Sequence, residues 1–543
     1  MKYLNSILTI FFCLTIVIGT SAQNFSAQNN GKTIYYRITS ANAPHTVAVT
    51  YNGASAEATN EYNGNIEIPE SVTNSGTTYS VTSIDSVAFL GCTGLTAVTI
   101  PAPIKAIYGS AFKGCTSLVT VNFNATNCEY MGFTTSAVFS GATAFTTLNI
   151  GINVRRIPNN AFRGCAMLNL PTFPNAVEII GRAAFYGCSA MSGMLNLPPS
   201  LTMIGNNAFY SCTGLINSLV LPQKLKYINN NAFLLCTGFT GAVVLPDSIV
   251  FIGPAPFAGC SGLIAGTETL TIPEKVDTLD ISAFQGFSNL KTINFNAHNC
   301  TKMGDDTTTL YVFGACNAVE TINIGAEVTK IPGRGFAGLS SVQYIKSDAV
   351  TPPQIGANTF FRIPTNIPVS VPCGSTTYAT DANWRKFTNI QTVGNASVPY
   401  NLEVLNEGAQ LKLQWKGEVA DYKVYRNNTL IATVSTKTYT DNDIVFGNSY
   451  CYQIKVESAN SECADALSNE VCMNYTAVNQ IEMQHFKVYP NPATDRIFID
   501  GDVEFSNVII YDIFGREVLK SEQTNELNIS NLPQGNYIAN ILN

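Results

Sequence analysis

The sequence is poor in the side chains that enzymes and metal sites use most. Its 543 residues include three histidines, His45, His298 and His485, and only 12% of the residues are charged. Histidine is the commonest general base and metal ligand, so its scarcity argues against most hydrolytic and metal-dependent chemistry. The net charge of -7 argues against nucleic acid or an anionic membrane as a partner. We therefore expect no cofactor, no metal ion and no nucleic-acid binding.

Long apolar runs are also scarce. The most apolar stretch, residues 7–18, follows Lys2 and precedes the small residues Thr20, Ser21 and Ala22. A transmembrane helix needs about 20 apolar residues. A positive start, a short apolar segment and a small-residue cleavage site are instead typical of a secretory signal peptide. We predict a signal peptide over residues 1–22, no transmembrane segment in the mature chain, and export to an oxidising compartment.

A phenylalanine recurs at an almost constant interval over more than half of the sequence. It usually stands in the phrase AFxGCxxL, as at Ala88–Leu95 and Ala111–Leu118. The intervals run from 23 to 29 residues, which is typical of one unit of a solenoid. The twelve anchor phenylalanines are Phe89, Phe112, Phe139, Phe162, Phe185, Phe209, Phe233, Phe257, Phe284, Phe313, Phe336 and Phe360.

Each unit also contains a short alternating segment, VxI. In the first unit it is Val98–Ile100, followed by Pro101 and then by two more aliphatic residues. Such alternation predicts a half-buried strand, and a proline just past the strand does little harm. One unit cannot bury its own phenylalanine and leucine, whereas stacked units can. We therefore predict a mainly β fold built on a solenoid with parallel strands.

A cysteine stands three residues after most of the anchors. Residues at one repeat position stack with parallel Cβ vectors, which is unfavourable for disulfide geometry. Phe287 and Leu339 occupy this position in two other units. We therefore predict that the cysteines are small buried core residues and not redox or metal sites. They are Cys92, Cys115, Cys165, Cys188, Cys212, Cys236, Cys260 and Cys316.

The recurring pattern AFxGCxxLxxVxIPxxIxxI resembles the BspA-like leucine-rich repeats of secreted and surface proteins. GKTIYYRI from Gly31 and YNGNIEIPESV from Tyr62 resemble the amino-terminal cap of that family, and Val371–Ile390 resembles its closing cap. The resemblance implies a cap over residues 23–82 and repeats with a closing cap over residues 83–391. It also implies adhesion to host matrix proteins or to other bacteria.

The central position of VxI forms a candidate binding face, because the strand-lined concave face is the usual contact surface of a solenoid. The position is almost wholly uncharged, and Val220 and Val244 occupy it in two units. Its amide and hydroxyl groups can bind a glycan or a peptide backbone, or they can bond only to their stacked neighbours. Both interpretations stay open. The candidate residues are Thr99, Asn122, Asn149, Thr172, Asn196, Thr271, Asn294 and Asn323.

Two units carry a longer insertion, NFNATNCEYMG from Asn122 and NFNAHNCTKMG from Asn294. The second places His298 close to Cys300, with Asp305 and Asp306 further along. A catalytic Cys–His pair needs an orienting group and a pocket, and the first insertion has Thr126 where His298 stands. We therefore predict no catalytic residues and no enzyme activity.

The repeat pattern ends near Ile390. Residues 399–472 contain separate alternating runs, such as LKLQWK from Leu411 and YCYQIKV from Tyr450. They predict an antiparallel β-sandwich over residues 395–474, followed by a linker over residues 475–487. The segment resembles a fibronectin type III domain. That resemblance places Cys451 and Cys472 on neighbouring strands and implies a disulfide between them, with Cys463 left over.

Residues 488–543 contain three further motifs in order: YPNPA from Tyr489, YDIFGREV from Tyr511 and LPQGNY from Leu532. They resemble the type A sorting domain of type IX secretion, a second small antiparallel domain. The resemblance implies the type IX secretion machinery as a partner and a location outside a Gram-negative bacterium, either secreted or on the outer surface. Such domains usually continue past this point, so we expect the last strand to be missing from this sequence.

These features together favour a non-catalytic, adhesin-like protein that binds a protein or glycan on a host or bacterial surface. Two alternatives stay open. One is a structural protein of a surface layer, and the other is an exported hydrolase whose site is not recognisable from the sequence.

Overall fold

The computed structural model describes residues 24–53, 61–305, 308, 310–393, 398–418, 420–461, 463–475, 487–500, 507–512, 516–522 and 525–542. The predicted signal peptide over residues 1–22 and most of the predicted linker over residues 475–487 lie outside these residues. The chain is almost entirely β-structure, with only 2% helix. It divides into two compact units, residues 1–400 with 456–466 and residues 401–455 with 467–543.

The first unit begins with six strands that pair mostly antiparallel. β1, β2 and β3 follow one another antiparallel, β5 pairs antiparallel with β6, and β3 runs parallel to β6. The parallel β3–β6 pair starts the geometry that the repeats continue. The strands are β1 (Phe25–Asn29), β2 (Lys32–Ser40), β3 (Thr46–Thr50), β4 (Gly64–Glu67), β5 (Ser71–Asn74) and β6 (Thr77–Ile84).

The rest of this unit is a parallel-strand solenoid of about 13 turns. Its first strands are β7 (Leu95–Ile100), β8 (Ala106–Ile107), β9 (Thr120–Phe123), β10 (Tyr130–Met131), β11 (Thr147–Ile150), β12 (Arg156–Ile157), β13 (Ile179–Ile180), β14 (Gly193–Met194), β15 (Met203–Ile204), β16 (Leu215–Ser218), β17 (Tyr227–Ile228) and β18 (Phe239–Thr240). The remaining elements are β19 (Phe251–Ile252), helix α1 (Ser261–Gly266), β20 (Thr269–Ile272), β21 (Thr278–Leu279), β22 (Thr292–Phe295), β23 (Lys302–Met303), β24 (Thr321–Ile324), β25 (Lys330–Ile331), β26 (Tyr344–Ser347), β27 (Gln354–Ile355), β28 (Pro368–Ser370), a 3-10 turn at Trp384–Lys386 and β29 (Asn389–Gln391).

Two series of sheets run along the solenoid. The front sheets contain the VxI strands, in the orders β11-β9-β7-β4 and β20-β22-β24-β26-β28-β29, with β14-β16-β18 between them. The side sheets contain the following short strands, and the longest has the order β12-β13-β15-β17-β19-β21-β23. The solenoid strands pair parallel, and in the two longer front sheets and the side sheets equivalent repeat positions lie opposite one another and form rows. In the sheet β14-β16-β18 the register differs, since Gly193 pairs with Leu215 and Asn217 with Phe239.

The anchor phenylalanines form one continuous stack inside the solenoid. All eleven consecutive pairs are in ring contact, with centroids 4.5–6.3 Å apart and interplanar angles of 2–24°. Tyr62 packs on Phe89 at one end, and Trp384 and Phe387 pack against Phe360 at the other. These three aromatic residues shield the ends of the stack from water, as a solenoid requires.

The front face is irregular in its middle units, where the repeat pattern predicts strands. Pro171 replaces the first VxI residue in one unit, and proline has no N–H to donate to a sheet. In the first three units the first VxI residue lies nine positions after the anchor. In the three units that follow the unit of Pro171 it lies ten positions after the anchor. In these units Gly193, Asn217 and Gly241 take positive φ angles of 108°, 68° and 82° in or beside the short strand. The extra residue acts as a bulge that ends the pairing before VxI is reached.

The second unit contains antiparallel sheets. In its first part β31, β34 and β30 form one sheet, and β32, β33, β35, β36 and β37 form another. The resemblance to fibronectin type III domains stays a prediction. The strands are β30 (Tyr400–Asn406), β31 (Leu411–Lys416), β32 (Tyr422–Arg426), β33 (Thr429–Val434), β34 (Thr438–Asp441), β35 (Ser449–Val456), β36 (Ala466–Leu467) and β37 (Val471–Asn474).

The last part of this unit has two three-stranded sheets, in the orders β38-β39-β42 and β41-β40-β43. Ile497, Ile499, Val508, Ile510 and Leu527 form its small core. The expected loss of a further strand stays a prediction. The strands are β38 (Lys487–Tyr489), β39 (Arg496–Asp500), β40 (Asn507–Asp512), β41 (Glu517–Glu522), β42 (Glu526–Asn528) and β43 (Tyr537–Leu542).

Candidate functional site

The candidate binding residues on the front face form two hydrogen-bonded rows. In the first row the side-chain amide of Asn122 donates to Thr99 Oγ1 at 3.0 Å, and the amide of Asn149 donates to Asn122 Oδ1 at 2.8 Å. These bonds form because β7, β9 and β11 place the three residues directly opposite one another. We call Thr99, Asn122 and Asn149 the first polar row.

The second polar row repeats this arrangement near the other end of the solenoid. The amide of Asn294 donates to Thr271 Oγ1 at 3.1 Å, and that of Asn323 donates to Asn294 Oδ1 at 2.8 Å. Thr271, Asn294 and Asn323 are opposite one another on β20, β22 and β24. The same Thr–Asn–Asn order in both rows shows that the arrangement follows from the repeat register.

Each inner asparagine keeps unused hydrogen-bonding capacity. A primary amide has two N–H donors and two acceptor lone pairs. The rows use one donor and one acceptor of Asn122 and of Asn294, and their half-buried side chains border the solvent. Bonds along the row fix the orientation of each amide, so the remaining donor and acceptor are held in place before any ligand arrives.

The middle of the predicted face does not share this order. Thr172 and Asn196 are exposed, but they lie outside the strands and make no side-chain hydrogen bond within the described residues. Val220 and Val244 are 64% and 71% exposed. The structure therefore brings together six of the eight candidate residues, in two groups, and leaves the other two apart from them.

A second row of threonines lies beside the polar rows, and the sequence reasoning did not single it out. Thr120 and Thr147 lie opposite each other, as do Thr292 and Thr321, two residues before the asparagine of the same strand. All four are half-buried. Residues two apart on a strand face the same side of the sheet. The sequence could therefore have identified these threonines, because each lies two residues before a candidate asparagine.

The repeated cysteines are buried, as predicted. All eight are free thiols with at most 7% of their surface exposed. Six of them donate the S–H to the main-chain carbonyl of the anchor phenylalanine in the turn before, as from Cys115 to Phe89, at 3.0–3.2 Å. Burial raises the pKa of Cys115 and Cys260 to about 12 and that of Cys316 to about 11. Thiolates are the reactive form, so these three thiols are almost wholly protonated near neutral pH.

The thiol of Cys300 is directed at a main-chain carbonyl and not at His298. The thiol of Cys300 donates to the carbonyl of Lys302 at 3.5 Å, and the equivalent Cys128 bonds Tyr130 in the same way. Burial raises the pKa of Cys300 to about 12. The buried Nδ1 atom of His298 has no hydrogen-bond partner within the part of the chain that the structure describes. Asp306, which the sequence placed nearby, lies outside the described residues.

Two disulfides join Cys373, Cys451, Cys463 and Cys472. Cys451 is bonded to Cys472, the pair that the sandwich resemblance implies, on the adjacent strands β35 and β37. Cys463 is bonded to Cys373, 90 residues away. The expectation that Cys463 is left over was therefore wrong. That expectation considered only the cysteines of the predicted sandwich, residues 395–474. In the structure residues 456–466 pack with the first unit, which contains Cys373.

Among the residues that the structure describes, no group of three or more histidine, cysteine, aspartate or glutamate side chains is arranged to hold a metal ion. No helix among these residues has the length and apolar character needed to cross a membrane.

Sequence comparison matches residues 65–192, 133–264, 202–343, 265–372 and 306–410 to the BspA type leucine rich repeat region. It matches residues 487–543 to the secretion system C-terminal sorting domain. No curated protein matches the chain.

Several solved structures are similar to this chain. A leucine-rich repeat protein from Bacteroides ovatus ATCC 8483 is 23% identical over 67% of this chain and 97% of its own, with a TM-score of 0.36. A leucine rich cell surface protein from Faecalibacterium prausnitzii A2-165 is 18% identical over 68% of this chain and 99% of its own, with a TM-score of 0.30. The pneumococcal vaccine antigen PcpA is 17% identical over 69% of this chain and 98% of its own, with a TM-score of 0.30.

Proposed function

Since the chain belongs to the BspA type leucine-rich repeat family and carries a secretion system sorting domain, we propose that it is an adhesin-like binding protein. It acts outside the cell, either attached to the bacterial surface or released. The solenoid holds the ligand, which is a protein or glycan of a host or bacterial surface. The protein binds this ligand without changing it chemically.

The observation that carries this proposal is the pair of polar rows on the front face. Thr99, Asn122 and Asn149, and likewise Thr271, Asn294 and Asn323, present fixed amide and hydroxyl groups in strand register. Sugar hydroxyls and peptide groups each combine donors and acceptors, so they match amides that have one of each unused. The rows contain no charged residue, so binding through them depends little on salt.

The burial of the free thiols supports binding over catalysis. All ten free thiols among the described residues are buried. Burial keeps those with shifted pKa values protonated. The histidine that lies closest in sequence to a thiol, His298, makes no hydrogen bond to it.

A binding screen on the mature chain tests the proposal. The protein is applied to arrays of extracellular matrix proteins and of glycans, and each captured ligand is tested again with the double variant Asn149→Arg/Asn323→Arg. The matched control is Thr143→Arg/Asn317→Arg. Thr143 and Asn317 are exposed and lie four residues after the anchors of the same two units.

We expect the asparagine variant to weaken binding at least about tenfold, because two large cations on the rows obstruct contact. The control should bind within about twofold of the unaltered protein. Equal binding by both variants would place the contact surface elsewhere. Turnover of a captured protein or glycan would show instead that the chain is an enzyme.

A further inference from the structure

Neighbouring turns of the solenoid are joined by main-chain hydrogen bonds around the anchors. In eight turns the N–H of the anchor donates to the carbonyl of the residue before the next anchor, as from Phe336 to Thr359 at 3.0 Å. In six of these turns the residues two before and two after the anchor donate in the same direction, as Arg334 and Gly338 do. A turn of this kind therefore presents three N–H groups, spaced two residues apart, to the turn that follows.

The last anchor turn has no such turn after it. The equivalent N–H groups belong to Asn358, Phe360 and Arg362, and none of the three donates to an acceptor in the part of the chain that the structure describes. Asn358 and Arg362 are exposed, and Phe360 is half-buried. Unpaired main-chain donors at the end of a parallel array are a template for pairing with another segment, as at the edge of a β-sheet.

A cavity of about 230 Å³ lies beside these donors. Phe360, Phe361, Ile363 and Phe387 supply apolar walls, and Lys386 lies at its polar side. Phe361 is 46% exposed, which is unusual for a large aromatic residue next to the closing cap. Pockets for drug-sized ligands measure about 300–1,000 Å³, so this cavity has room for little more than one side chain.

The same end of the solenoid carries unpaired positive charge. Arg362, Arg385 and Lys386 are exposed, and no carboxylate pairs with them among the residues that the structure describes. The guanidinium of Arg362 lies 5.5 Å from the ring of Phe361. The whole chain has a net charge of -7, so this cluster is a local reversal of sign that favours an acidic partner.

We propose that the closing end of the solenoid binds an acidic segment of a partner protein. Main-chain carbonyls of the segment accept hydrogen bonds from Asn358, Phe360 and Arg362, as the next turn does elsewhere in the solenoid. One apolar side chain of the segment enters the cavity, and acidic side chains on either side of it pair with Lys386 and its neighbours. This site is separate from the polar rows and does not depend on them.

The spacing of the donors favours a peptide over a small anion. The donors of the turn before, Arg334, Phe336 and Gly338, bond to the carbonyls of Ala357, Thr359 and Phe361, which are alternate residues of the last anchor turn. A peptide likewise offers carbonyls at alternate residues, whereas a phosphate or sulfate ion is too small to reach all three donors. A peptide also supplies the apolar side chain that the cavity fits.

The test uses the mature chain and a fluorescein-labelled heptapeptide, ENAFDGE, which has a small residue before its phenylalanine and acidic residues on both sides. Fluorescence anisotropy should show saturable binding that weakens as salt is added. The neutral peptide QNAFNGQ should bind at least about tenfold more weakly. Peptide binding should also slow hydrogen exchange of the amides of residues 358–362, which reports the main-chain contacts directly.

Two variants and a matched control complete the test. Lys386→Glu should weaken binding about tenfold or more, and Phe361→Ala should weaken it several-fold. Lys113→Glu should have little effect, because Lys113 is an exposed lysine in the position of Phe361 in an early turn. The proposal is wrong if ENAFDGE does not bind at about 1 mM, or if QNAFNGQ binds equally well. It is also wrong if the three variants behave alike, or if inorganic phosphate displaces the peptide and itself slows exchange at residues 358–362.

Discussion

The thiol of Cys212 donates a hydrogen bond to the main-chain carbonyl of Phe185, with 3.1 Å between the sulfur and the oxygen. Both residues are fully buried and belong to successive turns. The cysteine therefore does two things at once. It fills a small space in the core, and it gives the Phe185 carbonyl a second donor beside the main-chain N–H of Cys188.

Replacing one cysteine of this row should destabilise the solenoid. We expect Cys212→Ala to lower the free energy of unfolding by about 1–3 kcal/mol, because it leaves a small cavity and removes one of the two hydrogen bonds to the Phe185 carbonyl. Chemical denaturation followed by circular dichroism measures the change. Ser189→Ala is the control, since Ser189 is an exposed residue just after Cys188 in the preceding turn. Equal effects of the two substitutions would contradict the role given to the thiol.

The free thiols should resist alkylation while the protein is folded. Burial raises the pKa of Cys316 to about 11 and that of Cys128 to about 12, so less than about one part in a thousand is thiolate at pH 8. Iodoacetamide followed by intact-mass measurement should modify none of the ten free cysteines that the structure describes. In denaturant all ten should react. Rapid labelling of any of the eight repeat cysteines in the folded protein would show that the core is open to solvent there.

Stability should fall as the pH rises above about 8.5, the ordinary pKa of a thiol. The folded state raises the thiol pKa values, so between the unfolded and folded values the unfolded chain binds fewer protons. The stability that the protonated, buried thiols contribute is fully present below pH 8.5, and it is lost as the pH rises toward 11–12. Thermal unfolding from pH 7 to 10.5 should show a falling midpoint. A midpoint that does not change over this range would exclude the proposed burial of the thiols.

The polar rows should contribute unequally along their length. Asn122 makes two side-chain hydrogen bonds in the first row, whereas Asn149 makes one and is exposed. We expect Asn122→Ala to lower the free energy of unfolding by about 1 kcal/mol, and Asn149→Ala by less than about 0.5 kcal/mol. The comparison is made in the same denaturation experiment. A larger loss for Asn149 would mean that the hydrogen-bonded row does not exist in solution.

The spacing of the recurring apolar residues was enough to predict the core of the solenoid. An apolar residue that returns at the same point of every unit must stack on its copies, so the anchors predicted the phenylalanine stack and the Phe+3 cysteines predicted a buried row. The hydrogen bond from Cys212 to Phe185 was not predictable in this way. It depends on where a carbonyl of another turn points, and the side-chain pattern holds no information about that.

Other features depended on contacts between distant residues or on single insertions. The disulfide of Cys373 with Cys463 joins segments 90 residues apart, and no spacing rule relates them. The VxI pattern continues through the middle units, but one extra residue at Gly193, Asn217 or Gly241 interrupts the sheet there. Asn196 therefore fits the sequence pattern of the face but does not join its hydrogen-bonded rows, and Thr172 stays apart from them because Pro171 precedes it.

Hydrogen exchange of the mature chain, with and without a ligand captured on the arrays, tests the binding face most directly. If the polar rows hold the ligand, exchange should slow in the strands Leu95–Ile100, Thr120–Phe123 and Thr147–Ile150, in Thr269–Ile272, Thr292–Phe295 and Thr321–Ile324, or in both groups. The closing turn at residues 358–362 should be unchanged by the same ligand. Protection confined to the side sheets or to the second unit would contradict the account.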